Sequence, residues 1–293
     1  MYLIEGSPVT GWQKVGGRWY FFADEDGKYP VNDPEGGEVI FYPEGAMVSG
    51  CSLTIDGMQY FFSSDGSLRN GWIKIDWMWA YLEEGQPVTG WKRIDSQWYF
   101  FCDRESTYFM NSDPETGEPV YYPVGAMYNE SAEWGEIDGN VYHFRASGAL
   151  VTGWDSATVP ETGKKVWWYM GSDGAMRTGW QRIDGNWYYF YADPEDTRQY
   201  YGSMATGGTF IDTAYYYFGP RDGNDGYMRT GWIKFGDSWE YYRPDGTQVV
   251  DDWARIDGEW YLFTPEGCMV TGEYGGNLFS EDGVWLGEIN SNT

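Results

Sequence analysis

The thirteen-residue segment TGWQRIDGNWYYF, at residues 178–190, recurs along the chain with its two tryptophans at a fixed interval. Clear copies begin at residues 10, 70, 89, 230 and 251, and degenerate copies lie between them at 49, 133, 152 and 206. Where nothing is inserted, the spacing between successive copies is short: the interval from Gly50 to Gly71 is 21 residues, and that from Gly71 to Gly90 is 19. A unit of this length has room for one hairpin and a connector, so the ten units must bury their apolar faces on one another.

Each unit contains an Asp-Gly pair, or a close equivalent, between β-forming residues, which is the strongest short signal for a β-hairpin. A two-residue turn at Asp184-Gly185 places Arg182 opposite Trp187 and Trp180 opposite Tyr189. Because side chains alternate between the faces of a strand, Trp180 and Trp187 then share one face. No helical periodicity is present. The sequence therefore predicts an all-β solenoid of stacked β-hairpin repeats, forming one domain over residues 1–287, with a tail at 288–293.

The seven-residue interval between paired tryptophans predicts a row of aromatic clefts. If the hairpins stack in one direction, the two-tryptophan face of one unit meets the tyrosine face of the next. Two indoles and the next unit's tyrosine then form three walls of an open box. Six such trios are predicted: Trp12, Trp19 and Tyr60; Trp72, Trp79 and Tyr99; Trp91, Trp98 and Tyr142; Trp154, Trp167 and Tyr188; Trp180, Trp187 and Tyr216; and Trp232, Trp239 and Tyr261.

Other units lack a complete box. The pair Trp253/Trp260 is followed only by a fragmentary unit. In the degenerate units, Cys51 and Gly208 replace the first tryptophan, and Gln59 and Val141 replace the second. We therefore expect fewer boxes than repeats.

Three ring faces suit a quaternary ammonium ion, which has no N–H groups to satisfy and gains about 0.5–2 kcal/mol per good ring contact. The same rings can stack on the apolar face of a sugar. A third interpretation is that the aromatic side chains only fill the interior of a thin solenoid. We favour interior filling for second-face residues such as Ile183, Phe190 and Phe263, and a ligand for the tryptophan pairs, because a core does not need tryptophan twice at one spacing.

The net charge of −26 argues against nucleic acid as a partner, since affinity for phosphate backbones depends on Lys and Arg. No apolar run is long enough to span a membrane. The cysteines Cys51, Cys102 and Cys268 fit neither a metal pattern nor a disulfide framework. His143 has no nucleophile partner by sequence, so we expect no catalytic residue, cofactor or metal. Residue 12 already lies inside a repeat, so we expect the chain to be a piece of a longer protein.

Acidic insertions interrupt the repeat near residues 23–40 and 102–120, and a shorter one begins at Ala192. Their shared Asp-Pro-Glu turns predict additional hairpins. Such projections could cover a neighbouring cleft, contact a protein, or bind Ca²⁺ through clustered carboxylates. The spacing fits no EF-hand loop, and solvated acidic loops are the favoured interpretation.

The run TGWQRIDGNWYYF followed by GSMATG resembles the choline-binding, or cell-wall-binding, repeat of surface proteins of Gram-positive bacteria and their phages. It is also similar to the glucan-binding repeats of streptococcal glucosyltransferases and to the C-terminal repeats of clostridial toxins. The resemblance implies choline sites between successive hairpins, built from two tryptophans of one repeat and a tyrosine of the next. It also implies that the methionine of a Gly-x-Met motif packs beside each site; matching residues are Met47, Met127, Met176, Met204, Met228 and Met269.

The function implied by this resemblance is a non-catalytic, multivalent module that attaches a secreted or surface protein to choline-decorated teichoic acid, outside the bacterial cell. Two alternatives stay open. One is a module for a neutral polysaccharide such as an α-glucan, and the other is an adhesin or protein-binding stalk that uses the acidic insertions.

Overall fold

A computed structural model describes residues 3–5, 7–31, 40–75, 78–129, 134–160, 162–196, 198–219 and 226–289. All regular secondary structure in these residues is β-strand. The chain divides into two compact units: unit 1 is Met1–Gly135 with His143–Leu150, and unit 2 is Glu136–Tyr142 with Val151–Thr293. The described residues contain no helix that could span a membrane.

Strands that are neighbours in sequence pair with each other, mostly as two-stranded antiparallel sheets. In unit 1 the strands are β1 (Leu3–Ile4), β2 (Ser7–Pro8), β3 (Gly11–Val15), β4 (Arg18–Phe22), β5 (Pro30–Val31), β6 (Ile40–Phe41), β7 (Ser52–Ile55), β8 (Met58–Phe61), β9 (Gly71–Ile75), β10 (Met78–Glu83), β11 (Gln86–Pro87), β12 (Gly90–Ile94), β13 (Gln97–Phe101), β14 (Phe109–Ser112) and β15 (Pro119–Tyr121). Strands β16 (Trp134–Ile137) and β17 (Asn140–His143) contain residues of both units.

Unit 2 continues the same pattern of paired neighbouring strands. Its strands are β18 (Gly153–Thr158), β19 (Lys165–Met170), β20 (Gly179–Ile183), β21 (Asn186–Phe190), β22 (Gly207–Ile211), β23 (Ala214–Phe218), β24 (Gly231–Phe235), β25 (Ser238–Tyr242), β26 (Trp253–Ile256), β27 (Glu259–Leu262), β28 (Gly272–Tyr274), β29 (Asn277–Phe279) and β30 (Trp285–Glu288). The predicted all-β solenoid of hairpin repeats is confirmed in each unit. Residues 290–293 of the predicted tail lie outside the described residues, and the single domain over 1–287 stays a prediction.

The Asp-Gly turns set the register of the hairpins. Asp184 and Gly185 have φ angles of 48° and 87°, which is the pair of positive φ values that a type I′ turn requires. Strands β20 and β21 pair Arg182 with Trp187 and Trp180 with Tyr189. The predicted register is therefore confirmed residue by residue in this hairpin.

The core of each unit contains a buried residue from each full hairpin, at or just after the end of its second strand. This residue is most often phenylalanine, and Leu82, Met170 and Tyr242 take its place in three hairpins. Phe101, Phe190 and Phe218 are completely buried. A connector methionine follows and pairs with the same phenylalanine, as Met228 does with Phe218. This methionine requires a glycine in the following repeat: a Cβ on Gly246 would lie 2.1 Å from Met228 Sδ, and the φ of Gly246 is +87°. Gly202 and Gly226 leave room for Met176 and Met204 of the preceding repeats in the same way, whereas Gly267 faces Gln248.

The two long insertions form additional hairpins, β5–β6 and β14–β15, as predicted. Residues 32–39 of the first insertion lie outside the described residues. Both insertions are anchored alike, because Tyr29 donates to Asp24 at 2.7 Å and Tyr108 donates to Asp103 at 2.5 Å. These hydrogen bonds lower the pKa of each aspartate.

The three cysteines are free, and Cys102 is completely buried. Burial raises the pKa of the Cys102 thiol to about 12, so the group is protonated at neutral pH. Across the described part of the chain, no group of three or more His, Cys, Asp or Glu side chains is placed to hold a metal ion.

Candidate ligand sites between hairpins

The paired tryptophans lie on one face of their hairpin and meet edge to face. Four pairs have the same geometry, with ring centroids 6.4 Å apart and interplanar angles of 84–88°: Trp72/Trp79, Trp154/Trp167, Trp180/Trp187 and Trp232/Trp239. Two ring planes at nearly a right angle form a corner rather than a closed stack. The longer turn of the Trp154/Trp167 hairpin leaves this corner unchanged.

The tyrosine of the next hairpin contacts the first tryptophan of each pair. The centroid distances are 4.7–5.0 Å for Trp12–Tyr60, Trp72–Tyr99, Trp154–Tyr188, Trp180–Tyr216 and Trp232–Tyr261. Trp19 lies opposite Lys14 in the β3–β4 hairpin, on the same face as Trp12. The structure thus brings together the predicted rings of these trios. Trp91 and Trp98 belong to unit 1 and Tyr142 to unit 2, so that trio stays a sequence prediction.

A further tyrosine, absent from the predicted trios, lies directly opposite the first tryptophan in the same hairpin. Tyr189 pairs with Trp180 across the strands, and their rings are 5.3 Å apart. Its counterparts contact Trp72, Trp154 and Trp232 at 5.1–5.3 Å: Tyr81, Tyr169 and Tyr241. The alternation of side chains already placed Tyr189 on this face, so the signal for a fourth ring was present in the sequence.

The two tryptophans of a pair have different surroundings. Trp180 is half-buried and packs on the buried Phe218 of the next hairpin at 5.8 Å. Trp187 is 44% exposed. Trp79, Trp98, Trp239 and Trp260 are similarly exposed, whereas Trp19 and Trp167 are more covered. In most pairs, then, the first indole holds hairpins together and the second presents a ring to solvent.

A connector residue joins each box through its backbone. Met228 N donates to the carbonyl of Trp187 at 2.7 Å. The same bond links Met127 to Trp79, Met204 to Trp167 and Met269 to Trp239, whereas Leu68 bonds to Trp19 and Leu150 to Trp98. Met176 bonds to Val141 instead, and Met47 pairs with Phe22. Four of the six motif methionines therefore sit at tryptophan pairs, and leucine holds the position at two others.

The electrostatic environment of the boxes favours a cation. Burial, followed by the nearby carboxylates of Asp245 and Asp212, raises the pKa of Tyr216. Burial, followed by the carboxylates of Glu259, Asp257 and Asp282, raises the pKa of Tyr261. The tyrosines therefore remain neutral donors, and negative charge lies nearby. Lysines already sit over the second indole in three hairpins, at 5.4 Å for Lys14–Trp19, 4.2 Å for Lys165–Trp167 and 5.7 Å for Lys234–Trp239.

The pair Trp253/Trp260 has an aromatic neighbour that the seven-residue interval does not predict. Trp285, in β30, meets Trp253 edge to face at 5.9 Å. Its indole Nε1 donates to Asn277 Oδ1 at 3.0 Å, and Asn277 stands where a full repeat has its third-wall tyrosine. Trp285 does not follow the seven-residue interval between paired tryptophans. It lies beside Trp253 because β30 pairs with β29.

The single histidine is used in packing: the ring of His143 lies 4.8 Å from that of Trp134. The arrangement at the boxes is one of ring faces in an open corner. Such a corner can bind a cation or an apolar ring, and it offers no pair of titratable groups for proton transfer.

Comparison with family models matches residues 177–224 to the choline-binding repeat, and residues 10–29, 89–105 and 133–150 to a cell wall binding repeat. These matches confirm the predicted resemblance. A search of curated proteins finds no match.

Solved structures with a similar fold include choline binding protein F from Streptococcus pneumoniae, crystallised with a peptidoglycan analogue. It is 24% identical with a TM-score of 0.58, over 94% of this chain and 92% of that chain. CbpJ from Streptococcus pneumoniae TIGR4 is 24% identical with a TM-score of 0.55, over 89% of this chain and 94% of that chain. A complex of CbpF with ipratropium is 22% identical with a TM-score of 0.56, over 94% of this chain and 92% of that chain. At this level of identity the similarity shows the fold alone.

Proposed function

Since the chain carries choline-binding repeats, we propose that it is a non-catalytic, multivalent module that attaches a secreted or surface protein to choline-bearing teichoic acid of a Gram-positive cell wall. The ligand of each site is the trimethylammonium group. The sites are the corners between successive hairpins, formed by two tryptophans and the tyrosine of the next repeat. The chain would act outside the cell, where teichoic acid is exposed.

One observation carries this proposal: the same three-ring corner occurs four times with nearly constant geometry. In Trp232, Trp239 and Tyr261 the indoles are 6.4 Å apart at 88°, and the tyrosine is 4.9 Å from Trp232. A quaternary ammonium has no N–H group, so ring faces alone can replace its hydration shell. Interior filling explains Trp232, which is half-buried. It does not explain why Trp239, which is 38% exposed, keeps the same orientation toward its partner as the exposed Trp79 and Trp187.

Repetition supplies the affinity. A single corner with three ring contacts gives about 1.5–6 kcal/mol at most before the loss of ligand freedom is counted, so each site alone is weak. A polymer that repeats its choline can occupy several corners of one chain, and linked sites gain about 10²- to 10⁴-fold in avidity. The net charge of −26 adds a long-range attraction for cationic groups that weakens with salt.

Tryptophan fluorescence tests the proposal directly. Choline chloride should give a saturable change, and 3,3-dimethyl-1-butanol, which has the same shape without the charge, should bind much more weakly. Trp239→Ala should lower the number of choline molecules bound per chain by one in equilibrium dialysis. Tyr274→Ala, which removes a 46% exposed ring outside the boxes, is the matched control and should leave the number unchanged. A flat fluorescence response up to about tens of millimolar choline would remove the proposal.

Two alternatives make different predictions in the same experiments. An α-glucan module would be retained on dextran or starch, and Trp91→Ala with Trp98→Ala would abolish the retention. A protein-binding role is supported by exposed rings on the second insertion, where Phe109 and Tyr121 pair at 6.4 Å and are 45% and 37% exposed. Deleting residues 104–121 would abolish protein binding and leave choline binding intact.

A further inference from the structure

A position in unit 2 has every wall of its box replaced. It lies between the β22–β23 hairpin and the β24–β25 hairpin. Gly208 and Tyr215 stand where other hairpins have their tryptophan pair, and Glu240 stands where the next hairpin has its tyrosine. Gln248 replaces the methionine, because Gln248 N donates to the carbonyl of Tyr215 at 2.9 Å, just as Met228 N donates to that of Trp187.

The replacements leave a cavity of 460 Å³, which is lined by Gly208, Tyr215, Tyr217, Glu240, Gln248 and Glu266 among others. Gly208 is the reason for the space, since an added Cβ there would meet no atom within 4 Å. The Tyr215 ring is 50% exposed. The space is therefore accessible from solvent and bounded by tyrosine rings.

The polar groups of this cavity are held in place by one another. Glu240 Oε2 accepts hydrogen bonds from Tyr242 OH and from Gln248 Nε2, both at 2.7 Å. Tyr242 is only 3% exposed, so its hydroxyl is a fixed donor. Both bonds end on Oε2, which leaves Oε1 of Glu240 as an acceptor. Glu266 brings a second carboxylate, and the described lining residues include no Lys or Arg.

We propose that this cavity is a binding site for a protonated primary amine, distinct from the quaternary ammonium sites. An –NH₃⁺ group carries three N–H donors that ring faces cannot satisfy, and carboxylates are the strongest acceptors for them. A trimethylammonium group has no N–H group to donate to those acceptors. Tyr215 and Tyr217 supply faces for the carbon atoms that bear the amine. The group can come from a small free amine or from an amino sugar within a polymer.

The four replacing residues fit one another, which distinguishes this position from a box that has only lost its tryptophans. Random loss of the tryptophans would leave a tyrosine and a methionine beside a gap. Here the third wall and the connector residue have become Glu240 and Gln248, and they hydrogen-bond to each other. Formal negative charge has been added at the point where the other sites rely on ring faces. A preference for cations is kept, and hydrogen-bond acceptors are added.

The test uses the whole chain and ligands that differ only in the amine. Isothermal titration with ethanolamine, at about 0.15 M salt to screen non-specific attraction, should show one site that persists when choline is saturating. Glu240→Gln should weaken ethanolamine binding at least tenfold and leave choline binding unchanged. Glu273→Gln, which removes the same charge from the exposed strand β28, should change neither. Gly208→Trp should fill the cavity and abolish ethanolamine binding; a circular dichroism spectrum and melting temperature equal to those of wild type show that both cavity variants are folded.

Glucosamine and N-acetylglucosamine distinguish an amino sugar from a neutral sugar. Glucosamine binding that depends on Glu240, with ethanolamine weaker, identifies an amino sugar as the source of the amine. Ethanolamine at least as tight as glucosamine identifies a small or acyclic amine. Equal binding of N-acetylglucosamine and glucosamine would overturn the proposal in favour of a neutral saccharide. Ethanolamine affinity that is the same in wild type, Glu240→Gln and Gly208→Trp would also overturn it. The ethanolamine and sugar affinities of wild type, Glu240→Gln and Gly208→Trp test this site whether or not the aromatic boxes bind choline.

Discussion

Replacing each tryptophan of one pair by alanine separates packing from ligand binding. Trp180 makes ring contacts with Tyr189, Tyr216, Phe218 and Trp187, whereas Trp187 has its described ring contact with Trp180 alone. The two variants share the loss of one contact, so Trp180→Ala loses three more. At about 0.5–1.5 kcal/mol per aromatic pair beyond area burial, the free energy of unfolding should fall by about 1.5–4.5 kcal/mol more in Trp180→Ala than in Trp187→Ala.

The burial of the two side chains points the same way. A tryptophan side chain presents about 200 Å², and Trp187 is 44% exposed, so about 110 Å² leave water on folding. At about 25 cal/mol per Å², and allowing for residual burial in the unfolded chain, Trp187→Ala should cost about 2 kcal/mol. Trp180→Ala should cost about 4 kcal/mol, in the range measured for large-to-small core substitutions. Both variants should bind one choline fewer.

Urea unfolding followed by circular dichroism gives the change in stability, and equilibrium dialysis gives the bound choline. Because a repeat contacts mainly its neighbours, hydrogen exchange of residues 179–190 and 207–218 localises the effect. Tyr274→Ala controls for loss of an exposed ring. If Trp187→Ala destabilised the chain as much as Trp180→Ala, the assignment of packing to the first indole and ligand contact to the second would be wrong.

Three further outcomes follow from single contacts. Gly246→Ala should lower the free energy of unfolding by about 2–4 kcal/mol, because strain at its φ of +87° adds to a clash with Met228; Gly258→Ala, at a φ of +97° with no atom within 4 Å, should lose only the strain component. Thermal melting should be pH-dependent at both ends. Burial raises the pKa of Tyr242 and hydrogen bonds from Thr247 lower that of Asp245, so stability falls as the pH rises above 10 and as it drops below 3.8. Unchanged melting from pH 2 to pH 12 would contradict this. Trp285→Ala should destabilise the β28–β30 sheet by about 1–2 kcal/mol and speed its hydrogen exchange, because Trp285 holds Trp253 and Asn277; protection equal to wild type would contradict it.

The hairpin register and the ring trios were predictable because both depend on local rules. An Asp-Gly turn with positive φ at both residues fixes which side chains are opposite, and alternation fixes their face. Trp180, Trp187 and Tyr216 follow from those two rules and the direction of stacking.

The remaining features depend on contacts between repeats. The different burial of Trp180 and Trp187 arises from Phe218 of the following hairpin. Leu68 and Leu150 take the methionine position through backbone hydrogen bonds to Trp19 and Trp98, and no sequence motif predicts these bonds. Trp285 reaches Trp253 only because β30 adds to a sheet. The Glu240–Gln248 hydrogen bond joins a strand residue to a connector residue of the same repeat. It becomes part of a cavity only because Gly208 of the preceding repeat lines the same space.

Difference electron density from a crystal of the chain soaked in choline tests the central claim most directly. We predict a trimethylammonium group in the corner of Trp232, Trp239 and Tyr261, with its nitrogen within about 6 Å of each ring centroid, and equivalent density at the other trios. Empty, well-ordered corners at a choline concentration that saturates the fluorescence change would contradict the account, as would choline bound only elsewhere on the chain.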